Sequence, residues 1–423
     1  MKFQMTQTEK LLARAAQKPF VKPGEIISTP VDWCMTNDAT THISIDLFEG
    51  EVRKKRIFNP SQTIFVIDHN VPSESIKTTG VQNKMRRFAR EHDILLYDGE
   101  GICHQLLIEK HVNPGQVVVA ADSHTCSYGA LGAFATGVGS TDFVAVMVTG
   151  QTWLMVPSTI RFELSGQLST GVTSRDLVLR IVGDLGSDGA AYKAMEYGGP
   201  ALEKLDINDR IVLCNLAVEA GAKNAVVEID AVTRDFINEN RQFAEIVEGL
   251  NSDPDCRYEK VVEYDLTTIE PAVVGPDFLD NYDVVANTRG TAITQGFIGS
   301  CNNGRIEDLR LAARILKGRK VKPNVKLLIS PASRKVYLQA LAEGVIDTFI
   351  ASGAMVLNPN CSVCWGGCQG LIGDGEVLLS TGTRNFKGRA GSPNSKIFLV
   401  SAATVAASCV AGFIADPREY LPV

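Results

Sequence analysis

Gln116-Val-Val-Val-Ala-Ala-Asp-Ser-His124 sets an uncharged, largely β-branched run directly before a carboxylate, a hydroxyl and an imidazole. An apolar run of this length without alternation predicts a strand buried on both faces, as in parallel sheets covered by helices. Ligands of such sheets bind outside the carboxyl ends of the strands, so the polar residues that end the run are candidate site residues. The same arrangement recurs at Thr63-Ile-Phe-Val-Ile-Asp-His69 and, more briefly, at Gly296-Phe-Ile-Gly-Ser-Cys301. A further run, Lys326-Leu-Leu-Ile-Ser330, and helical stretches at 306–317 and 333–343 complete an α/β pattern. The expected fold is therefore α/β, with several α/β/α units turned toward one cleft.

A chain of 423 residues exceeds what one core serves at about 150 residues per domain. Composition shifts near Pro157 and across a Pro- and Gly-containing stretch place three domains at 1–160, 161–268 and 288–423, with 269–287 as a linker. Thr6-x-x-Glu9 ahead of Leu11 and Leu12 has the form of a capping box that opens an amphipathic helix. No solenoid-length repeat or low-complexity tract occurs.

Hydrophobic residues make up 45% of the chain and charged residues 21%, which excludes disordered, collagen-like and coiled-coil classes. Lys and Arg number 42 against 48 Asp and Glu, a formal charge of −6. No basic run is longer than Arg53-Lys-Lys-Arg56, so the counterion-releasing surface of a nucleic-acid binder is missing. The expected partner is a small molecule, with neither nucleic acid nor membrane involved. Residues 1–10 lack the apolar core of a signal peptide, which predicts a cytoplasmic protein. The uncharged stretch 397–415 has about the length of a membrane span. Its Ser, Ala, Thr and Gly content reads instead as a buried C-terminal strand and helix. Ten cysteines in a reducing compartment are mostly small buried hydrophobes, and only a subset with ligand spacing carries a further role.

Asn360-Cys-Ser-Val-Cys-Trp-Gly-Gly-Cys368 is the sharpest local signal. A Cys-x-x-Cys turn lets Cys361 and Cys364 face one metal or cluster, and Cys301, in the loop 299–305, can complete the set. A pair of ordinary thiols is the alternative, disfavoured by the surrounding glycines, Asn and Trp. With Cys368 as fourth ligand the centre would be closed, either zinc or iron–sulfur. With three ligands, one iron would keep an open position for a substrate oxygen. Spacing alone leaves both open.

Three of the six histidines, His69, His104 and His124, sit at strand ends or among glycines. Any one of them alone reads as structural. Together, with Asp68 and Asp122 beside two of them, they point to acid–base chemistry. His42, His92 and His111 read as non-catalytic, the last two in charged, solvated segments. Arg384 and Arg389, in a loop after the run Val377-Leu-Leu379, offer two guanidiniums suited to a di- or tricarboxylate, with a solvated basic turn as the alternative.

Asp122-Ser-His-Thr125, Gly299-Ser-Cys-Asn-Asn-Gly-Arg-Ile-Glu-Asp308, Cys361-Ser-Val-Cys-Trp-Gly366 and Arg384-Asn-Phe-Lys-Gly-Arg389, in this order, resemble the aconitase superfamily. Within it the likeness is to large subunits of the isopropylmalate dehydratase and homoaconitase type, and it runs from Glu9 to about Phe413. The resemblance implies an iron–sulfur hydro-lyase of hydroxylated di- or tricarboxylic acids, with three domains around a central cleft. It implies a [4Fe–4S] cluster on Cys301, Cys361 and Cys364. Asp68, His69, His104, Asp122 and His124 would surround the leaving hydroxyl, and Glu219 would support a histidine. Ser123, Asn215, Arg384 and Arg389 would face the substrate.

Thr383 stands where the family often has Asn, Asn302 where Thr is common, and His42 where aconitase has a substrate-binding Gln. These departures bear on the substrate more than on the reaction. Cys368 matches no family ligand and reads as a structural thiol. The family's swivelling fourth domain, with its Gly-Ser-Ser-Arg segment, has no counterpart beyond Ala390-Gly-Ser-Pro-Asn-Ser395 and Ser330-Pro-Ala-Ser-Arg334, neither with that arrangement. The resemblance therefore implies a small subunit that carries the swivel domain and a serine base, in a heterodimer or heterotetramer. A non-catalytic cysteine–metal protein would use all four cysteines but leave the histidines and arginines idle.

Overall fold

In the computed structural model, which describes residues 3–53, 56–241 and 247–421, the apolar runs become strands of two sheets, and a further sheet lies in the segment between them. Lys54 and Lys55 of the basic run, and Met1 and Lys2 of the first segment, lie outside the described residues. In the first sheet five parallel strands take the order Leu95–Asp98, Thr63–Ile67, Trp33–Asn37, Val117–Ala120, Phe134–Gly137. Every side chain of Thr63–Ile67 and of Val117–Ala120 is buried, as expected of strands with helices on both faces. At roughly 1.5–3 kcal/mol for each large apolar side chain, such runs outweigh the weak strand propensity of the Ala in Val117–Ala120.

The second sheet is parallel, in the order Asn224–Val227, Ala194–Gly198, Thr159–Ser165, Lys260–Asp265. The third is mixed and has seven strands, with parallel Lys396–Leu399, Val377–Ser380, Gln295–Ile298, Lys326–Ile329 and Met355–Val356 at its centre and one edge. Its other edge is antiparallel and is formed by Ala272–Val274 and Tyr282–Val284, which lie within the 269–287 stretch expected as a linker. Pro271, Gly275 and Pro276 break the apolar pattern there, and pairing with Leu399 supplies what local sequence does not show.

One apolar cluster runs through all three sheets, with Ile64 and Val118 from the first, Phe162 and Tyr197 from the second, and Phe297 and Leu378 from the third. The polar strand ends therefore meet where the three units adjoin. The turn Ser123–Leu131, which follows Val117–Ala120, packs against strand Asn224–Val227 of the second sheet so closely that a Cβ on Gly129 would lie 1.6 Å from the Ala225 carbonyl oxygen.

The helix Gln7–Ala15 opens with the expected capping box: Glu9 N–H donates to Thr6 Oγ1 at 3.3 Å and Thr6 N–H to Glu9 Oε2 at 2.7 Å. The uncharged 397–415 stretch resolves into strand Lys396–Leu399 and helix Ala402–Ala411. Among the described residues no helix is long and apolar enough to cross a membrane. His92 and His111 depart from expectation, since each is only partly exposed. His92 packs on Phe48 and Phe88, while His111 packs on Trp33 and shares a 2.7 Å hydrogen bond with the Tyr97 hydroxyl. Aromatic neighbours distant in sequence override the local charge pattern at both positions.

Candidate active site

The turn after Thr63–Ile67 is pinned from its neighbour strand. Asp38 Oδ1, at the end of Trp33–Asn37, accepts the backbone N–H groups of Asp68 at 3.0 Å and His69 at 2.8 Å. Asp68 in turn organises three segments. Its Oδ1 lies 2.7 Å from His69 Nδ1, its Oδ2 accepts the Cys103 N–H at 2.6 Å, and its carbonyl accepts the Cys361 N–H at 2.9 Å. Burial works against a charge on His69, yet the carboxylates of Asp68, Asp38 and Asp122 win and push it up to about 9. The ring is an imidazolium at neutral pH.

His104 lies in the first turn of helix Cys103–Lys110, with Nε2 2.8 Å from Asp122 Oδ1 and Nδ1 3.0 Å from the Tyr128 hydroxyl. Asp122 caps the following turn. Its Oδ1 accepts the His124 N–H at 2.9 Å and its Oδ2 accepts Asn37 Nδ2 at 2.9 Å. Burial would raise Asp122, but His104, His124 and His69 together hold it well below the ordinary carboxylate range.

His124 completes a chain across all three units. Its Nε2 is 3.0 Å from Glu219 Oε1, which also accepts Arg384 Nε at 2.8 Å, and Arg384 Nη2 donates to Ser123 Oγ at 3.0 Å. Burial opposes the charge on Glu219, but His124 and Arg384 lower it below its usual value. His124 is lowered by burial, with Arg384 adding to the effect.

Cys301, Cys361 and Cys364 all face one cavity of about 470 Å³, together with His69, His104 and His124. Asp122, Ser123, Arg384 and Arg389 line the same cavity. Asp68, Asn215 and Glu219 sit directly behind its wall. Asn215 Nδ2 donates to Cys301 Sγ at 3.3 Å, and Cys364 Sγ is 3.7 Å from the Thr383 hydroxyl. Gly366 ends the Cys-x-x-Cys turn at φ +76°, where a Cβ would lie 1.9 Å from the Arg389 carbonyl oxygen. Arg389 is stacked over Trp365, 5.8 Å from its ring centre, and the edge of that ring meets His69. Cys368 is not on the cavity wall, and its thiol donates to the His69 carbonyl at 3.2 Å.

The donor set fits a metal–sulfur group. All ten cysteines are free, and burial pushes the Cys301 and Cys361 thiols well above their ordinary range, a penalty that a bound metal removes by displacing the proton. Arg305 and Arg175, both fully buried, lie behind Cys301 with their terminal nitrogens donating to neutral oxygens, including the Cys301 carbonyl at 2.7 Å from Arg305 Nη1, and with Nε of each unpartnered among the described residues. Two buried cations beside three thiols suit an anionic centre.

The structure also places residues that sequence reading passed over. Asn37 and Asp38 end the run Trp33-Cys-Met-Thr-Asn-Asp38 and Thr40 follows it; the run is itself a strand ending in polar residues, so the strand-end rule applies to it as well. Cys103 adds a fourth thiol to the cavity wall. His42, read as non-catalytic although it stands where aconitase has a substrate-binding Gln, is not on that wall, while Ala39 and Thr40 are.

The family model described as "Aconitase family (aconitate hydratase)" matches residues 9–285 and 279–412. The chain belongs to the aconitase family. It is an enzyme of the hydro-lyase class, and its α/β architecture is the family's. The chain is 46% identical to a probable 3-isopropylmalate dehydratase large subunit of Methanothermobacter thermautotrophicus, over 98% of this chain and 99% of that protein. It is 43% identical to a probable methanogen homoaconitase large subunit of the same organism, over 98% of each. The 3-isopropylmalate dehydratase large subunit of Heliobacterium modesticaldum is 45% identical over 98% of this chain and 99% of its own length. Among solved structures, the holo-form of Thermococcus kodakaraensis aconitase X superposes with a TM-score of 0.51 at 12% identity, covering 87% of this chain and 88% of that one, a likeness of fold.

Proposed function

We propose that this chain is the large subunit of a 3-isopropylmalate dehydratase, which isomerises a 2-hydroxy into a 3-hydroxy acid by removing and re-adding water. The observation that carries this reading is the convergence of three thiols, three histidines and two arginines on one cavity. Near-full-length identity to large subunits of that name supports it. Three domains, near 1–160, 161–268 and 288–423, would frame the cleft.

Cys301, Cys361 and Cys364 would hold a [4Fe–4S] cluster, which when bound supplies a Lewis-acidic iron for substrate oxygens. The remaining roles belong to side chains of the chain itself. Arg384 and Arg389 bind carboxylate, with Ser123 adding a hydrogen bond at the substrate, whereas Asn215, expected to do the same, lies behind the wall with its amide spent on Ser127, Cys301 and Asn302. Glu219 fixes both the His124 ring and the Arg384 guanidinium, so it positions one proton-bearing group and one substrate clamp together. His69 is the acid best prepared for the leaving hydroxyl. Asp68 holds Nδ1, which leaves the other ring nitrogen of the imidazolium to give a proton into the cavity. Asp122 holds His104 Nε2 and so fixes that ring's orientation. A small subunit carrying a serine base would remove the α-proton, in a cytoplasmic heterodimer or heterotetramer. The words "large subunit" in the relatives' names support such a partner.

The similarity to a methanogen homoaconitase large subunit favours a second reading, homocitrate-type substrates on the same site. Small branched malates such as dimethylmalate or citramalate form a third set. Assay of the anaerobically reconstituted two-subunit complex with each acid decides among them. Isopropylmalate is expected to turn over fastest, and no turnover of any hydroxy acid would sink the enzyme reading.

A further inference from the structure

The helix Ser174–Leu185 packs between helix Ile207–Asn215 and the edge strand Ala272–Val274 of the third sheet, and its second residue reaches the seam behind the cysteines. The Arg175 side chain is 0% exposed. Its Nη1 donates to Asn302 Oδ1 at 2.6 Å and its Nη2 to the Gly382 carbonyl at 2.5 Å, while Nε has no acceptor. Both acceptors are neutral. Among the described residues no carboxylate pairs with this guanidinium. The adjacent Asp176 is occupied elsewhere, with Oδ1 accepting the Ala272 N–H at 2.8 Å and Oδ2 accepting the Thr173 N–H at 2.8 Å and its hydroxyl at 2.9 Å. A cation taken out of water without an anionic partner is strongly disfavoured, so this one calls for a negative charge nearby.

The two acceptors show where that charge belongs. Asn302 follows Cys301 in the chain and passes its own Nδ2 to Asn215 Oδ1 at 2.9 Å; Asn215 Nδ2 then meets Cys301 Sγ at 3.3 Å. Gly382 precedes Thr383, whose hydroxyl is 3.7 Å from Cys364 Sγ, and a Cβ at Gly382 would itself stand 3.2 Å from that sulfur. One guanidinium therefore ties together the two backbone segments that flank Cys301 and touch Cys364. Burial pulls Arg175 down to about 10, opposed by the nearby Cys364 sulfur and by the more weakly acting carboxylates of Asp176 and Asp308.

We infer that Arg175 is a positioning residue for the metal–sulfur group, locking the Asn302 and Gly382 segments in one geometry and supplying the fixed positive charge that balances the thiolates. The inference rests on the proposed assignment of Cys301, Cys361 and Cys364. A positive charge close to a redox group favours its reduced, more negative state, so the charge bears on the potential and not only on packing.

The test compares Arg175→Lys, Arg175→Gln and Arg175→Met with the wild type, each reconstituted anaerobically in the two-subunit complex. Iron and sulfide per chain, the midpoint potential by redox titration, and the rate of iron loss in air are measured. Arg175→Lys keeps the charge and is expected to hold wild-type iron and potential. Arg175→Gln and Arg175→Met are expected to shift the midpoint to more negative values and to lose iron several-fold faster. An Arg175→Met protein with wild-type iron content, potential and air stability would overturn the inference. So would failure of both neutral variants to fold, which would make Arg175 a packing residue. A wild-type chain that takes up no iron and sulfide would instead refute the cluster assignment itself, and the inference with it.

Discussion

Asp122 accepts hydrogen bonds from His104, from the His124 backbone and from Asn37, so a single carboxylate fixes the relative placement of two rings and two loops. Asp122→Asn keeps the shape but removes the charge that orients His104. Turnover is expected to fall by roughly 10²–10⁴-fold with iron content unchanged, read by steady-state assay and metal analysis of the same preparation. The cysteines divide differently. Cys301→Ser, Cys361→Ser or Cys364→Ser is expected to abolish iron binding, whereas Cys368→Ser retains it, because the Cys368 thiol is spent on the His69 carbonyl. Loss of iron in the Cys368 variant would show that the ligand set is misassigned. Outside the site, burial lowers His111 to about 4, helped by Arg241 and Lys110, from an ordinary value of about 6.5. Between these values the unfolded chain binds the proton that the folded chain refuses, so stability is full above about pH 6.5 and falls as the pH drops toward 4. His111→Asn should flatten that part of the profile in urea midpoints measured at successive pH values. A wild-type and a variant profile that run parallel would refute the assignment.

At the scale of elements, what the sequence made legible was the strand that ends in chemistry. Thr63–Ile67, Val117–Ala120 and Gln295–Ile298 are short uninterrupted apolar runs, and hydrophobicity alone marks them. The Cys-x-x-Cys turn was legible because both cysteines lie within one turn. Pairings set by distant neighbours were not. The ribbon of Ile26–Pro30 with Gln151–Met155 joins segments far apart in the chain, and Arg175 reaches the cysteines only because its helix packs across a seam between sheets. Gly129 is of the same kind. It reads as one glycine among many, yet it lets the turn Ser123–Leu131 contact strand Asn224–Val227. Gly129→Ala forces that turn away from the second sheet and lengthens the His124–Glu219 contact, which is 3.0 Å in the wild type. A stability loss of roughly 1–3 kcal/mol, typical of overpacking, should appear in urea unfolding, together with a fall in turnover. A variant with unchanged stability and activity would mean that the turn has room to shift.

At the scale of the whole molecule, the three units meet through Ser123, Glu219 and Arg384, one from each sheet's neighbourhood, so the cleft exists only in the assembled chain. In that cleft the carboxylates and histidines that are bound to one another are poor proton acceptors. Asp122 is held well below the usual carboxylate range and is correspondingly weak as a proton acceptor. His69 is already cationic, and Glu219 is depressed and shared between His124 and Arg384. Both nitrogens of His104 are engaged, by Asp122 and by Tyr128. Removing a proton from carbon next to a carboxylate needs a positioned base of higher affinity than these offer. The chain alone, loaded with iron and sulfide, is therefore expected to bind hydroxy acid without dehydrating it, and activity should appear only when a small subunit of about one domain is added. Substrate binding by calorimetry and turnover by enoate absorbance, each measured with and without that subunit, separate the two steps. Full turnover by the isolated chain would place the base within these 423 residues and reverse the division of labour between the subunits.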